Sequence, residues 1–214
     1  MAYLRSKNEL MEEFYRELIQ QDTDELVLDF CRKKVIHGTP FIFSGREEDF
    51  YSFRKLVANQ FKVPFHEVYI VGSAKLGFSP HKGRMFDLNS DVDIAIVSGL
   101  LFDQIMEIIR GYQMELRNSK RNVSENELGL YHQFLEYVAL GWIRPDKLPL
   151  SFQIGDLKGK WFEFFESISY GRSVAGNYKV AAGAFKSYHH LEMYLVSGMK
   201  DLKTSKILME SVNV

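Results

Sequence analysis

Two short runs of β-branched and aromatic residues constrain the fold most strongly, because helical segments lie on both sides of them. The first run, Glu67–Val71, ends at a Gly-Ser pair, and the second, Val92–Val97, follows a polar loop over Pro80–Ser90. Runs of this length and composition predict β-strands. The segments around them repeat apolar residues at helical spacing. We therefore expect an α+β protein, with about three or four short strands among six or seven helices.

The helical segments follow from this spacing of apolar residues and from capping signals. Ser124 and Glu127 have the spacing of a capping box, which satisfies two free amide donors at a helix start. Leu150–Ile154 is a further expected strand. The predicted helices are Ser6–Gln20, Asp24–Lys34, Glu47–Phe61, Leu100–Leu116, Ser124–Leu140, Trp161–Ile168 and Lys179–Lys200. We expect an N-terminal helical segment over 1–62, a core over 63–156, and a C-terminal helical segment over 157–214 that packs on the core.

The polar residues beside the two runs form the pattern that carries chemistry. Gly72 and Ser73 end the first run, and Asp91 and Asp93 occupy alternate positions at the start of the second. Side chains alternate along a strand, so both carboxylates face the same way, about 7 Å apart. Two carboxylates on one face can share a hard cation such as Mg²⁺. Gly72 lets a phosphate approach the backbone, and amides at a helix beginning near Ser73 would favour that anion.

This Gly-Ser turn followed by Asp-x-Asp resembles the DNA polymerase β-type nucleotidyltransferase superfamily. The resemblance covers Glu67–Val97 strongly and the rest of the chain only in outline. It implies a nucleotidyltransferase fold in which Asp91 and Asp93 are catalytic and hold Mg²⁺, while Gly72 and Ser73 bind the triphosphate of an NTP. The loop between the two motifs is longer than usual and brings in His81, Lys82 and Arg84, which can contact phosphates or form a solvated loop.

The resemblance also implies a third carboxylate on a later strand, and here the sequence departs from the pattern. The corresponding side of the expected strand carries Gln153, a neutral amide that cannot act as a carboxylate base. Asp156 lies three residues further on and would substitute if the strand bends at Gly155. A missing acid would indicate impaired catalysis, a one-metal variant or an inactive relative. The third metal ligand is therefore Gln153, Asp156 or neither.

Two residues of the expected C-terminal helix are further candidates. In several members of the superfamily, a Lys and a Ser on a helix after the catalytic sheet contact the triphosphate, and Lys186 and Ser187 match that pair. A lysine on a solvated helix face is the simpler interpretation of Lys186.

Charge and composition exclude several classes of protein. The chain has 27 Lys and Arg against 28 Asp and Glu, which argues against a general nucleic-acid coat protein because such proteins carry a basic excess. One cysteine, Cys31, is compatible with a reducing compartment. The charged segment Arg5–Glu17 lacks the apolar region of a secretory signal, and the longest apolar run is far shorter than the roughly 20 residues of a membrane span. We expect a cytoplasmic protein without a membrane partner.

The expected reaction moves a nucleoside monophosphate from an NTP to a hydroxyl of a protein, an RNA or another nucleotide. The alternative is a catalytically degenerate module that binds a nucleotide, an RNA or a partner protein. Small proteins that resemble this one are often bacterial and tied to toxin–antitoxin or antiphage systems. A cyclic or oligonucleotide synthase is a less favoured third hypothesis, because such relatives usually have a larger helical lobe than 214 residues allow.

Overall fold

The computed structural model describes residues 7–120, 122–144 and 155–212. Within these ranges the chain forms eight α-helices and six strands. The helices are α1 (Lys7–Ile19), α2 (Asp24–Phe30), α3 (Glu47–Phe61), α4 (Gly72–Leu76), α5 (Gly99–Arg117), α6 (Glu125–Ala139), α7 (Gly155–Ser167) and α8 (Tyr188–Val212). The strands are β1 (Val68–Val71), β2 (Phe78–Ser79), β3 (Arg84–Met85), β4 (Asp91–Val97), β5 (Trp142–Ile143) and β6 (Lys179–Phe185).

Four of these strands form one small mixed sheet in the order β1-β4-β6-β5. β1 is antiparallel to β4, with Val71 opposite Asp93. β6 is parallel to β4, with Lys179 opposite Asp91, and β5 is antiparallel to β6. β2 and β3 pair separately as a short hairpin. The chain is therefore an α+β protein with a small mixed sheet, as the two strand runs predict.

The central strand β6 differs from the prediction, which placed Lys179–Phe185 at the start of the last helix. The segment pairs with β4 along its whole length, and α8 begins only at Tyr188. The prediction was wrong because Ala181, Ala182 and Ala184 favour helices by intrinsic propensity, and pairing with a buried neighbouring strand overrides that preference. The expected strand Leu150–Ile154 lies outside the described residues.

Two hydrophobic clusters cover the two faces of the sheet. Val92, Ile94 and Ile96 of β4 belong to the larger cluster, which includes residues of α3, α5, α6 and α7. Ala95 and Val97 belong to the second cluster, to which α1, α2 and α8 contribute. Because side chains alternate along β4, the two Asp side chains share the face of this second cluster.

Local signals explain the helices that were predicted well. α3 occupies Glu47–Phe61, the predicted range, and buries Phe53 and Val57. The capping box at Ser124 is present, with its hydroxyl accepting from the Glu127 amide and the Glu127 side chain accepting from the Ser124 amide. None of the helices in the described ranges is long and apolar enough to cross a membrane.

The expected helix Asp24–Lys34 changes its winding partway. α2 ends at Phe30, and the chain continues as a π-helical turn over Cys31–Ile36. Buried Lys75 of α4 donates from Nζ to the carbonyl oxygens of His37 and Gly38, immediately after this turn. Burial lowers the pKa of Lys75 to about 8. The lysine thus ties the π-helical turn to α4, the short helix that carries the Gly-Ser pair.

Candidate active site

Asp91 and Asp93 lie at the N-terminal end of β4, on the face shared with α8. A compact turn precedes them, in which the Asn89 amide donates to Asp87 Oδ1 and the Asp87 amide donates to Ser90 Oγ. Ser90 is buried, so the turn sets where the strand begins. Both Asp side chains are exposed to solvent, whereas the intervening Val92 is fully buried. The alternation inferred from the sequence is therefore present in the strand.

The Gly-Ser pair lies beside Asp93. Gly72 has a φ of +64°, and a Cβ added to it would stand 3.1 Å from Asp93 Oδ2. A side chain at position 72 would therefore be strained and would also crowd the carboxylate. Ser73 follows at half-buried depth, and its hydroxyl makes no hydrogen bond to another described residue. The fold thus brings together the four residues Gly72, Ser73, Asp91 and Asp93.

The surroundings of Asp93 disfavour the charged form of its side chain. Its pKa is raised to about 6, chiefly because surrounding protein displaces water and then because of the charge of Asp91. Arg144, Lys179 and Lys82 act in the opposite direction. Within the described part of the chain, Asp93 makes neither a hydrogen bond nor an ion pair. A carboxylate that is accessible, unpaired and close to another acid is suited to receive a cation.

Three basic residues surround the two carboxylates from separate elements. Lys179 of β6 lies opposite Asp91 in the strand register, and its Nζ is 3.9 Å from Asp91 Oδ2. Arg144 directly follows β5, and Lys82 lies between β2 and β3. The site therefore combines two carboxylates with three cations, a combination that suits a metal ion together with several phosphates.

The long loop between the motifs is the hairpin β2–β3, and packing holds it against α1 and α8. The Tyr15 hydroxyl of α1 donates to the Pro80 carbonyl at 2.8 Å. His81 packs near Gly198 of α8, since an added Cβ on that glycine would lie 3.6 Å from His81 Nε2. Of the three loop residues singled out from the sequence, Lys82 is the one that acts on Asp93, while Arg84 is exposed on β3.

Small residues and aromatic rings line the same face of β6, from Ala181 opposite Asp93 to the far end of the sheet, where Trp142 pairs with Phe185. Ala181 of β6 lies opposite Asp93 and is only partly buried. Gly183 leaves space that the Trp142 indole occupies, because a Cβ added there would overlap its Nε1. Tyr194 of α8 packs on Trp142 with ring centroids 4.5 Å apart. Burial raises the pKa of Tyr194, and the nearby Asp93 charge adds to that increase.

The sequence patterns did not point to four of the residues described above, namely Lys179, Arg144, Trp142 and Tyr194. Lys179 and Tyr194 fell in a predicted helix, and the other two follow α6 in a segment without a recognised motif. The signal that was present is the run Ala181–Ala184, because small residues in a strand often mark a close approach by another group.

Lys186 and Ser187 lie away from this site. β6 runs parallel to β4, so both residues follow the end of the sheet opposite Asp91 and Asp93. The Lys186 amide donates to the Gly141 carbonyl, and its Nζ lies 5.8 Å from the centre of the Phe102 ring. Ser187 Oγ hydrogen-bonds His190 Nδ1 at 2.7 Å near the start of α8. The structure does not bring this pair to the carboxylates.

Of the two candidates for a third metal ligand, Gln153 lies outside the described residues, and Asp156 lies near the start of α7. The described strand next to β4 presents Lys179 and Ala181 beside the two carboxylates. Among the described residues there is no cluster of three or more His, Cys, Asp or Glu side chains arranged to hold a metal.

Asp91 and Asp93 nevertheless fit Mg²⁺. This ion uses oxygen ligands and is commonly held by one or two carboxylates plus substrate phosphates and water. The adjacent acids, with Asp93 unpaired, provide the oxygen donors that such a site needs. Lys82, Arg144 and Lys179 add positive charge around these carboxylates.

Comparisons with known proteins identify no relative. No protein-family model matches the chain, and searches of curated proteins and of solved structures likewise returned no match.

Proposed function

We propose that the protein is a Mg²⁺-dependent nucleotidyltransferase of the DNA polymerase β type, which moves a nucleoside monophosphate from an NTP to a hydroxyl. The observation that carries the proposal is the contact between Gly72 and Asp93. Two motifs separated by a hairpin meet at one end of the sheet, at an accessible pair of carboxylates. That arrangement is what the resemblance in the sequence implies for a triphosphate and a metal ion.

In this proposal each part of the site has a separate task. Asp91 and Asp93 hold Mg²⁺, which when bound offsets negative charge on the phosphates. Gly72 allows the triphosphate close to the backbone, and the Ser73 hydroxyl donates to it. Lys82 adds positive charge on the same side, from a hairpin anchored by α1 and α8. Phosphoryl transfer depends mainly on such positioning and charge stabilisation.

The second candidate is a module that binds nucleotides without transferring them. The observation that favours it is Lys179, which lies beside Asp91 on the neighbouring strand, where an acid would have strengthened the metal site. A lysine there weakens the attraction of the pair for a cation. Binding and turnover therefore have to be measured separately.

Calorimetry with each NTP and Mg²⁺, together with a pyrophosphate-release assay, distinguishes the two candidates. The enzyme should bind an NTP and release pyrophosphate when RNA, nucleotides or a cell extract supplies an acceptor. The double variant Asp91→Asn, Asp93→Asn should lose both Mg²⁺-dependent binding and release. Asp103→Asn, an exposed acid on α5, is the matched control and should retain both. Tight NTP binding with no release under any condition would support the binding module instead.

A further inference from the structure

We propose that a cavity on the free edge of β1 binds the phosphate group of a small phosphorylated molecule, with Arg54 as its main contact. The cavity has a volume of about 560 Å³, which is within the range of small-molecule sites. Its lining comes from α3, from β1 and from the loop after the π-helical turn. Gly72, Ser73, Asp91 and Asp93 do not line it, so the cavity is separate from the candidate active site.

Arg54 of α3 is a half-buried cation that has no carboxylate partner in the described part of the chain. Its Nε donates to the Val68 carbonyl at 2.8 Å, and its Nη2 donates to the Phe65 carbonyl at 3.1 Å. A guanidinium has five N–H donors, so three remain after these two bonds. Burial lowers the pKa of Arg54, because the displaced water is not replaced by an acid. An anion in the cavity would supply this missing negative charge.

Aromatic rings hold the guanidinium in place. Its centre lies 4.2 Å from the centre of the Phe65 ring and 5.3 Å from that of the Phe50 ring. Together with the two carbonyl contacts, these rings fix the side chain before any ligand arrives. A preorganised guanidinium loses little conformational entropy on binding and presents its remaining donors in a fixed plane, as phosphate recognition requires.

The backbone at the edge of β1 adds a second kind of donor. Directly after β4, the Ser98 amide donates to the Phe185 carbonyl of β6. Backbone groups alternate in direction along a strand, so those of Ile94 also point toward β6. Ile70 of β1 lies opposite Ile94 and therefore has no ladder bond to β4. The amide and carbonyl of Ile70 point away from the sheet.

The contact between Arg54 and Val68 agrees with this direction, because Val68 and Ile70 alternate together along β1. Ile70 is only 2% exposed and lines the cavity. No other backbone group in the described ranges bonds to its amide. A buried amide without a partner is costly, and a phosphate oxygen in the cavity would accept from it.

The remaining polar residues of the lining are mainly donors. His37 and His66 are exposed, and neither imidazole bonds to another described residue. Each imidazole offers an N–H donor. Arg32 also lines the cavity, but its guanidinium is paired with Glu192 at 2.6 Å, so its charge is already matched. Among the described lining residues there is no Asp or Glu, and the unmatched charge is that of Arg54.

This arrangement favours a phosphate over a carboxylate. The donors belong to separate segments, namely α3, β1 and the residues just before β1 and after the π-helical turn. A phosphate monoester has three terminal oxygens that point in different directions and can accept from several segments at once. A carboxylate has two oxygens in one plane, which a single arginine can satisfy. The cavity also has space for the organic part of the molecule, beside Pro40 and Phe50.

Calorimetry on the Asp91→Asn, Asp93→Asn protein in EDTA tests the proposal without metal-dependent binding at the carboxylates. Inorganic phosphate, ribose 5-phosphate and AMP are the phosphate probes, and succinate is the carboxylate probe. We expect each phosphate probe to saturate one site and succinate to bind at least tenfold more weakly. The tighter of ribose 5-phosphate and AMP identifies whether the organic part is a sugar or a nucleoside.

Arg54→Met should weaken binding of the phosphate probes about tenfold or more, since hydrogen bonds from a charged donor are lost. Arg46→Met is the matched control, because Arg46 also donates to a backbone carbonyl, that of Val174, but does not line the cavity. His66→Ala removes an exposed side chain without a hydrogen bond to the described residues. It should weaken binding about threefold, and it replaces Arg54→Met if that variant does not fold.

The Ile70 amide gives a second measurement that a purely structural role of Arg54 would not affect. In ¹⁵N-labelled protein, inorganic phosphate should shift the Ile70 amide resonance and slow its hydrogen exchange. No saturable binding of the phosphate probes, equally tight binding of succinate, or full binding by the Arg54→Met and His66→Ala proteins would overturn the proposal. An Ile70 amide that phosphate leaves unchanged would do so too. Each of these results leaves the proposed function standing, since that function depends on Mg²⁺-dependent NTP binding by the wild type.

Discussion

Gly72 lies directly against Asp93, with only 3.1 Å between the position of an added Cβ and the carboxylate Oδ2. The two residues belong to different motifs and are joined because Val71 of β1 lies opposite Asp93 of β4. The absence of a side chain at position 72 is therefore part of the site, and it can be tested separately from its effect on the backbone.

Gly72→Ala should impair the site beyond its effect on stability. The left-handed backbone costs an L-residue about 1–2 kcal/mol of folding free energy. Gly45→Ala is the matched control, because Gly45 has a φ of +69° and open space around an added Cβ. Both variants should lose similar stability in urea unfolding, whereas Gly72→Ala alone should lose Mg²⁺-dependent NTP binding by calorimetry. Equal NTP binding by the two variants would contradict the role of the contact.

The raised pKa of Asp93 predicts a specific dependence of stability on pH. The folded protein retains a proton on Asp93 up to about pH 6, whereas the unfolded chain releases it near the ordinary value of 3.8. The folded state binds more protons in this window, so this contribution to stability is present below pH 3.8 and is lost as pH rises through 6. Asp93→Asn should therefore gain stability relative to wild type between pH 4 and 7.5.

Urea unfolding in the presence of EDTA measures this difference, with Asp103→Asn as the control for removing an exposed acid. The gain for Asp93→Asn should grow with pH and level off above about pH 6. A difference that stays constant over the range would show that Asp93 titrates alike in the folded and unfolded chains.

Buried Lys75 predicts a pH dependence of opposite sign. Its pKa falls from 10.5 to about 8 in the folded protein, so between these values the unfolded chain binds more protons. Wild type should gain stability relative to Lys75→Met as pH rises from 8 to 10.5. At neutral pH the variant also leaves the His37 and Gly38 carbonyls without this donor, a cost of about 1–3 kcal/mol.

The free energy of unfolding, measured by urea at pH 7 and pH 10.5, tests both statements. Lys55→Met, an exposed lysine on α3, is the control and should behave like wild type at each pH. If the free energies of unfolding of wild type and Lys75→Met differ by the same amount at both pH values, burial does not lower the pKa of Lys75.

Local sequence signals predicted the parts of the fold that depend on neighbours in the chain. α3 matches its predicted range because its apolar residues repeat at helical spacing, and β4 was recognised by its β-branched residues. Asp91 and Asp93 were assigned to one face for the same reason. These features require no knowledge of which strand pairs with which.

The same sequence patterns could not predict the pairing between segments that are distant in the chain. β6 lies more than 80 residues after β4, and its small residues favour a helix until β4 pairs with them. Lys179, Arg144 and Tyr194 reach the carboxylates only through that pairing and through the return of α8 over the sheet. For the same reason, the sequence patterns did not predict that Lys186 and Ser187 lie at the end of the sheet opposite the carboxylates.

The most direct test of nucleotidyl transfer is the fate of two labels. The protein is incubated with Mg²⁺ and NTP carrying radioactive phosphorus at either the α or the γ position, with AMP, an oligoribonucleotide and cell extract as acceptors. The account predicts that the α label appears on an acceptor, that the γ label appears only in pyrophosphate, and that Asp91→Asn with Asp93→Asn abolishes both. Transfer of the γ label to an acceptor, or no transfer of the α label despite bound NTP, would contradict it.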